Sequence, residues 1–145
     1  MRALYRWWSL LMVVAIVVQI SLAGYGAFYT AGKVADGVSV DEDTFDDGFG
    51  IHGGFGLLVI LLGLVFLVIG LSAGIGRWRL GRHGLLALLL VLQLFLPELG
   101  RQVAALGFLH VLNALVILAI AGWTAREEWQ ERQGRMESPA SPAPT

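Results

Sequence analysis

The sequence predicts an all-α integral membrane protein, a bundle of four helices, and three observations carry that prediction. Of the 145 residues, 57% are hydrophobic and only 14% are charged, whereas soluble domains hold about 45–50% apolar and about 25% charged residues. Four mostly apolar segments reach the roughly 20 residues that a membrane-spanning helix needs. The basic residues are segregated along the chain, as in multi-pass proteins.

The predicted helices cover about 8–30, 48–75, 82–99 and 103–124, within one transmembrane domain of residues 1–126. The third is the least apolar, since Pro97 and Glu98 interrupt it, and we expect it to end or kink there. Asp46 or Asp47 is expected to cap the second helix. Residues 127–137 are expected to continue the fourth helix into the cytoplasm, and the proline-rich residues 138–145 to be a disordered tail.

The distribution of basic residues predicts that both termini are cytoplasmic, in a multi-pass protein of the plasma membrane. With that orientation the outer segments hold only Lys33 and Arg101. The inner segments hold the other basic residues, Arg2, Arg6, Arg77, Arg79, Arg82, Arg126, Arg132 and Arg135. A cleaved signal peptide is disfavoured, because the apolar run from Leu10 to Tyr29 exceeds the usual 7–15 residues of a signal core.

Two segments recur in a way that predicts an internal repeat of two helices. VVQISLAGYG (residues 17–26) aligns with VLQLFLPELG (residues 91–100), which pairs Gln19 with Gln93. FGIHGGFGLLVI (residues 49–60) aligns with GFLHVLNALVIL (residues 107–118), which pairs His52 with His110. Because both histidine helices run in the same direction, the repeat is parallel and places the two histidines at equivalent depth in the outer half.

His52 and His110 are the candidate functional residues, because an ionisable side chain in lipid is costly and usually faces a protein interior. Each begins a stripe of small residues at helical spacing, with Gly56 and Gly63 after His52 and Ala114 after His110. Such a stripe favours either close helix packing or a slot for a flat ligand with an imidazole on each side. The sequence does not choose between haem, quinone, lipid and packing alone.

Haem b is the ligand that best suits two facing imidazoles in a chain without cysteine. His52 and His110 are the candidate axial ligands, and Gln19, Gln93, Asn113 or backbone carbonyls are the candidate acceptors that hold the imidazoles. A zinc or di-iron site is disfavoured, because the membrane segments lack internal carboxylates. The expected role is electron transfer or redox sensing with a membrane redox partner or quinone. The alternative is a non-catalytic accessory protein whose buried polar residues only fix helix packing.

Other functions find little support in the sequence. No nucleophile–base pair or carboxylate relay indicates an enzyme or a transporter. The absence of cysteine excludes disulfides, iron–sulfur clusters, thiolate zinc sites and c-type haem. We expect contact with the lipid bilayer and no nucleic-acid partner, while the oligomeric state stays open. His83, beside Arg82, is expected to belong to the interfacial basic cluster.

The segments at residues 17–28, His52–Gly56, Gln93 and residues 105–117 resemble a family of small four-helix prokaryotic membrane proteins of unknown function. The most specific part is LHxxNAL, met by Leu109–Leu115. The resemblance covers about residues 2–126 and implies topology, without an activity. More distantly, the chain is similar to one half of haem A synthase, which carries histidines on its second and fourth helices. That similarity implies haem ligation by His52 and His110, but not haem modification, since no cysteine is present.

Overall fold

The structure, a computed structural model, describes the backbone of residues 1–137 and the side chains up to residue 134. Its helices are α1 (Arg2–Ala35), α2 (Glu42–Ala73), α3 (Arg77–Leu92), α4 (Leu96–Gln102) and α5 (Ala104–Glu137). Within these residues there is no strand. The spans α1, α2, α3 with α4, and α5 are each long and apolar enough to cross a membrane. The chain is thus an all-helical, multi-pass membrane protein, and its predicted disordered tail lies outside the described residues.

The four spans form a bundle in which α1 packs on α2 and α5, while α3 packs on the same two helices from the other side. α2 and α5 therefore stand at opposite corners and face each other across the bundle axis. The buried core runs along this axis and includes Met12, Ile16, Val59, Phe66 and Ile117. Leucines, valines and tryptophans cover much of the outer surface, as expected for helices whose outer faces contact lipid chains.

The start of α2 differs from the prediction. Asp41, rather than Asp46 or Asp47, is the N-cap residue, and its carboxylate accepts hydrogen bonds from the Thr44 backbone N–H at 2.9 Å and hydroxyl at 2.6 Å. These bonds hold the pKa of the Asp41 carboxyl below its usual range. The acidic residues after Asp41 thus lie inside the first turns of the helix, because the Asp41 carboxylate satisfies the Thr44 backbone N–H and so fixes the start of the helix there.

The third span is interrupted between α3 and α4. α3 ends at Leu92, and the N–H groups of Leu94 and Phe95 bond to carbonyls only three residues earlier. α4 then begins at Leu96, with Pro97 in its first turn. Proline lacks the N–H that would bond to the carbonyl four residues before it, so the helix cannot pass this point with regular bonding. The end or kink expected at Pro97 and Glu98 is thus present: the span predicted over 82–99 consists of two helices, and the first begins five residues earlier.

Two glycines allow unusually close contacts between consecutive helices. A Cβ on Gly26 of α1 would lie 2.8 Å from the Gly48 carbonyl oxygen of α2, and a Cβ on Gly100 of α4 would lie 2.8 Å from the Gly107 Cα of α5. Both contacts involve backbone, so no side-chain rotation could relieve them. Gly26 and Gly100 are the residues that the repeat alignment pairs. The same device thus joins the helices in both halves of the chain.

At the other end of the bundle the two termini of the described chain meet, and we call this the terminal end. The rings of Trp7 and Trp129 lie 5.4 Å apart, edge to face. Arg79 bonds to Glu127, Glu128 and Glu131 of α5, and Arg82 bonds to Glu127. These ion pairs hold α3 against the part of α5 that extends beyond the apolar span.

His83 does not belong to an exposed basic cluster, so that prediction is wrong. It is 2% exposed, and its Nε2 lies 2.5 Å from the Tyr5 hydroxyl. Its ring also packs edge-on against Phe66, with centroids 4.4 Å apart. The helical spacing of His83 with Leu86, Ala87 and Leu90, the other buried residues of α3, could have revealed this position from the sequence.

Candidate functional site

A cavity of about 320 Å³ lies between the helices, in the half of the bundle away from the termini. Pockets that bind small molecules commonly measure about 300–1,000 Å³. The wall is mostly apolar, and residues of every helix contribute to it. Its polar and small side chains come from Gln19, His52, Gly53, Gly56, Gln93, Pro97, His110 and Ala114. The cavity therefore collects both histidines and both glutamines that the sequence singles out.

His52 and His110 meet across this cavity. Their ring centroids are 6.2 Å apart, and the ring planes are inclined at 68°. α2 and α5 are not neighbours around the bundle, so the rings approach each other only because both point to the bundle axis at the same depth.

The imidazole of His52 is fixed by Gln19 of α1. His52 Nδ1 lies 3.0 Å from the Gln19 backbone carbonyl oxygen, which can only accept, so Nδ1 carries the proton and donates it. Nε2 is then the nitrogen that carries the lone pair and can accept. The Gln19 side-chain amide donates to the His52 carbonyl oxygen at 2.9 Å, and its nitrogen lies at a longer 3.4 Å from Nε2.

His110 is held differently. The Gln93 side-chain amide donates to the His110 carbonyl oxygen at 3.2 Å, as Gln19 does for His52. Asn113, itself buried, donates to Gln93 Oε1 at 3.0 Å and to the Leu89 carbonyl oxygen at 2.9 Å. The His110 ring receives no such support, because its buried Nδ1 has no hydrogen-bond partner among the described residues.

The predicted small residues fall into two groups. Gly56 and Ala114 line the cavity, and a Cβ on Gly56 would lie 2.8 Å from the Gln19 side-chain nitrogen. Gly63 lies deeper, beside Met12 and Leu90, and does not reach the cavity wall. The stripe after His52 thus provides space for the cavity in its first turn and close helix packing farther along.

Sequence reasoning missed two parts of the site. The sequence indicates backbone carbonyls among the possible acceptors, but no pattern of side chains shows that the Gln19 carbonyl is the one that accepts the hydrogen bond of His52. Gly53 and Pro97 also line the wall, and Pro97 was interpreted only as a helix breaker. In the described part of the chain, no group of three or more histidine, aspartate or glutamate residues could hold a metal ion. Any metal held here by protein side chains would rely on the two imidazoles alone.

The chain matches no protein-family model, and neither a similar curated protein nor a similar solved structure was found.

Proposed function

We propose that this protein binds one b-type haem between His52 and His110 and serves in electron transfer or redox sensing within the membrane. One observation carries the proposal: two imidazoles on non-adjacent helices face each other across a shared cavity, with their centroids 6.2 Å apart. Metal–imidazole bonds are about 2 Å long. With about 1 Å more from each nitrogen to its ring centre, two imidazoles on one metal ion have centroids roughly 6 Å apart.

The hydrogen bonds around the histidines also suit this proposal. Histidine ligands usually donate their second ring nitrogen to a backbone carbonyl or carboxylate, which fixes the tautomer. His52 does so through Gln19 and keeps Nε2 as the ligand atom. His110 retains a buried nitrogen without a partner, and leaving a buried polar atom unpaired costs about 1–3 kcal/mol. A ligand in the cavity would offset that cost.

Haem bound by two histidines supplies reversible one-electron exchange. The protein's residues would hold it and exclude water: His52 and His110 as ligands, Gln19 and Gln93 as the amides that fix the ligand helices, and Gly56 and Ala114 as small residues of the wall. A membrane redox partner or a quinone would exchange the electrons. Because both axial positions are taken by protein, oxygen chemistry is not part of the proposal.

An absorption spectrum of the protein purified after expression with ample haem tests the proposal. We expect a sharp Soret band, with α and β bands on reduction, that is lost in His52→Gly and in His110→Gly. His83→Gln, at the terminal end, should keep the full spectrum. Added imidazole should restore the band in the glycine variants, which separates loss of a ligand from misfolding. A colourless wild-type protein that is folded by circular dichroism would overturn the proposal.

The second candidate is a membrane protein whose buried polar residues only fix helix packing. The observation in its favour is that Gln19, Gln93 and Asn113 all donate to acceptors on neighbouring helices. Such bonds stabilise membrane bundles by about 0.6 kcal/mol on average. Under this alternative the protein is colourless and unchanged by added haem, and the histidine variants lose stability alone.

A further inference from the structure

A second cavity lies at the terminal end, on the surface between α3 and α5. It measures about 360 Å³ and is lined by Arg77, Trp78, Gly81, Arg82, Leu85 and Trp123, among others. Leu85 and Ile120 form its apolar part, toward the middle of the membrane. We call it the terminal groove. It combines basic side chains at one end with an apolar wall at the other.

The charges around the groove leave Arg77 without a counter-ion. The nearby carboxylates of α5 are engaged elsewhere, since Glu127 bonds to Arg79 and Arg82, and Glu128 bonds to Arg79. Arg77 is exposed and forms no ion pair with any residue that the structure describes. Its guanidinium is therefore available to an anion at the membrane surface.

Arg82 adds a buried donor to the same groove. Its side chain is only 9% exposed, and it lies over the Trp123 ring, 4.9 Å from the centroid. One terminal nitrogen bonds to Glu127, but the Nε–H has no acceptor within the described chain. A buried donor left unpaired is costly, so the guanidinium of Arg82 is not fully satisfied by Glu127.

The backbone at the start of α3 also favours an anion beside the groove. α3 begins at Arg77, and its N-cap residue Gly76 offers no side-chain hydrogen bond. The first N–H groups of a helix have no partner inside it, and they carry the positive end of the helix dipole. Trp78 and Trp123 are 82% and 58% exposed, and amphipathic indole rings favour the headgroup level of a membrane.

We propose that the terminal groove is a binding site for an anionic phospholipid, in the leaflet at the terminal end. The headgroup phosphate contacts Arg77 and the start of α3, and an acyl chain lies along Leu85 and Ile120. Basic pockets between transmembrane helices are known to suit such headgroups. A lipid fits better than a soluble phosphate, because most of the groove surface is apolar.

Spin-labelled lipids test this site in nanodiscs of phosphatidylcholine that hold the full chain. The measurement is the association of spin-labelled phosphatidylglycerol relative to spin-labelled phosphatidylcholine. We expect the wild type to prefer phosphatidylglycerol and Arg77→Gln to lower that preference about fivefold, the effect of one basic residue near an anionic surface. Arg77 is exposed, so its replacement should leave folding intact.

Gly81→Leu separates a site from diffuse surface charge. A Cβ on Gly81 would meet nothing within 4 Å, so leucine fills the groove without a clash and leaves every charge in place. We expect it to lower the preference as much as Arg77→Gln does. Gly84→Leu is the matched control, because Gly84 also faces open space on α3 but does not line the groove.

Three results would overturn the lipid site. The first is a wild type without headgroup preference. The second is a Gly81→Leu variant that keeps the full preference, which would show that charge acts without a bound lipid. The third is displacement of phosphatidylglycerol by millimolar glycerol phosphate, which would indicate an anion site that needs no acyl chain.

Discussion

The Gln19–His52 half and the Gln93–His110 half of the site share one hydrogen bond and differ in the others. In both, the glutamine amide donates to the backbone carbonyl of the histidine on the following span. In the first half, the glutamine's own carbonyl also accepts from the histidine ring. In the second, the histidine ring nitrogen is unpaired, and Asn113 bonds to the glutamine side chain instead.

The helix break before Pro97 explains why the halves differ. α1 continues without interruption through Gln19 to Ala35, whereas the aligned segment leaves the helix at Gln93 and re-enters it at Leu96. Gln93 is thus the C-cap residue that follows α3 rather than a residue in mid-helix. Similar sequences with and without one proline therefore place the same glutamine differently against its histidine.

The largest expected effect concerns the glycine contacts that both halves share. Gly26→Ala and Gly100→Ala each force a Cβ against backbone 2.8 Å away, and overpacking of this kind costs about 1–3 kcal/mol. Unfolding from mixed micelles by a denaturing detergent measures the loss. Gly24→Ala and Gly122→Ala, where a Cβ meets nothing within 4 Å, should be neutral or stabilising. Equal effects in all four variants would contradict the paired contacts.

A double-mutant cycle tests the hydrogen bond from Asn113 to Gln93, which only the second half has. Gln93→Leu and Asn113→Leu remove the two ends of one hydrogen bond, so their effects on the free energy of unfolding should be coupled by about 0.6–1.7 kcal/mol. Gln19→Leu and Asn113→Leu share no contact, so these effects should add. Coupling of the same size in both cycles would show that the halves are not independent.

The smallest effect is expected from Pro97→Ala, which restores the missing N–H. We expect α3 and α4 to approach one continuous helix, as α1 is, with slower hydrogen exchange at residues 94–96. The change in the free energy of unfolding should be small, about 1 kcal/mol or less, because one backbone hydrogen bond contributes about that much. Unchanged exchange would show that contacts of α4, rather than the proline, set the break.

The sequence alone determined the class of the fold. Four apolar spans follow from composition and length, since a bilayer leaves backbone groups no partner outside a helix. The spans matched, while several of their ends did not: α2 begins earlier than predicted, at Glu42, and the third span divides before Pro97, near the expected end or kink. Caps and breaks depend on single hydrogen bonds, which a hydropathy pattern does not contain.

The sequence indicates the main side chains of the candidate site but not the hydrogen bonds that hold them. Two rare polar residues recur at matching positions, and that recurrence pointed to His52, His110, Gln19 and Gln93 before any geometry was known. It could not show that the Gln19 backbone carbonyl accepts a hydrogen bond from His52, nor that Asn113 donates one to Gln93. His83 was misplaced for a related reason: its neighbour Arg82 suggested a surface, whereas Tyr5, 78 positions away, provides its hydrogen bond.

What the sequence by itself determined is which residues are too polar for lipid, because the cost of burying them depends only on their chemistry. The tertiary structure decided where each of them finds a partner. That choice depends on which helices stand at opposite corners and where one helix is interrupted, and both are properties of the packed bundle. His52 and His110 face each other because their helices stand at opposite corners of the bundle. The hydrogen bonds around them differ because one helix is interrupted.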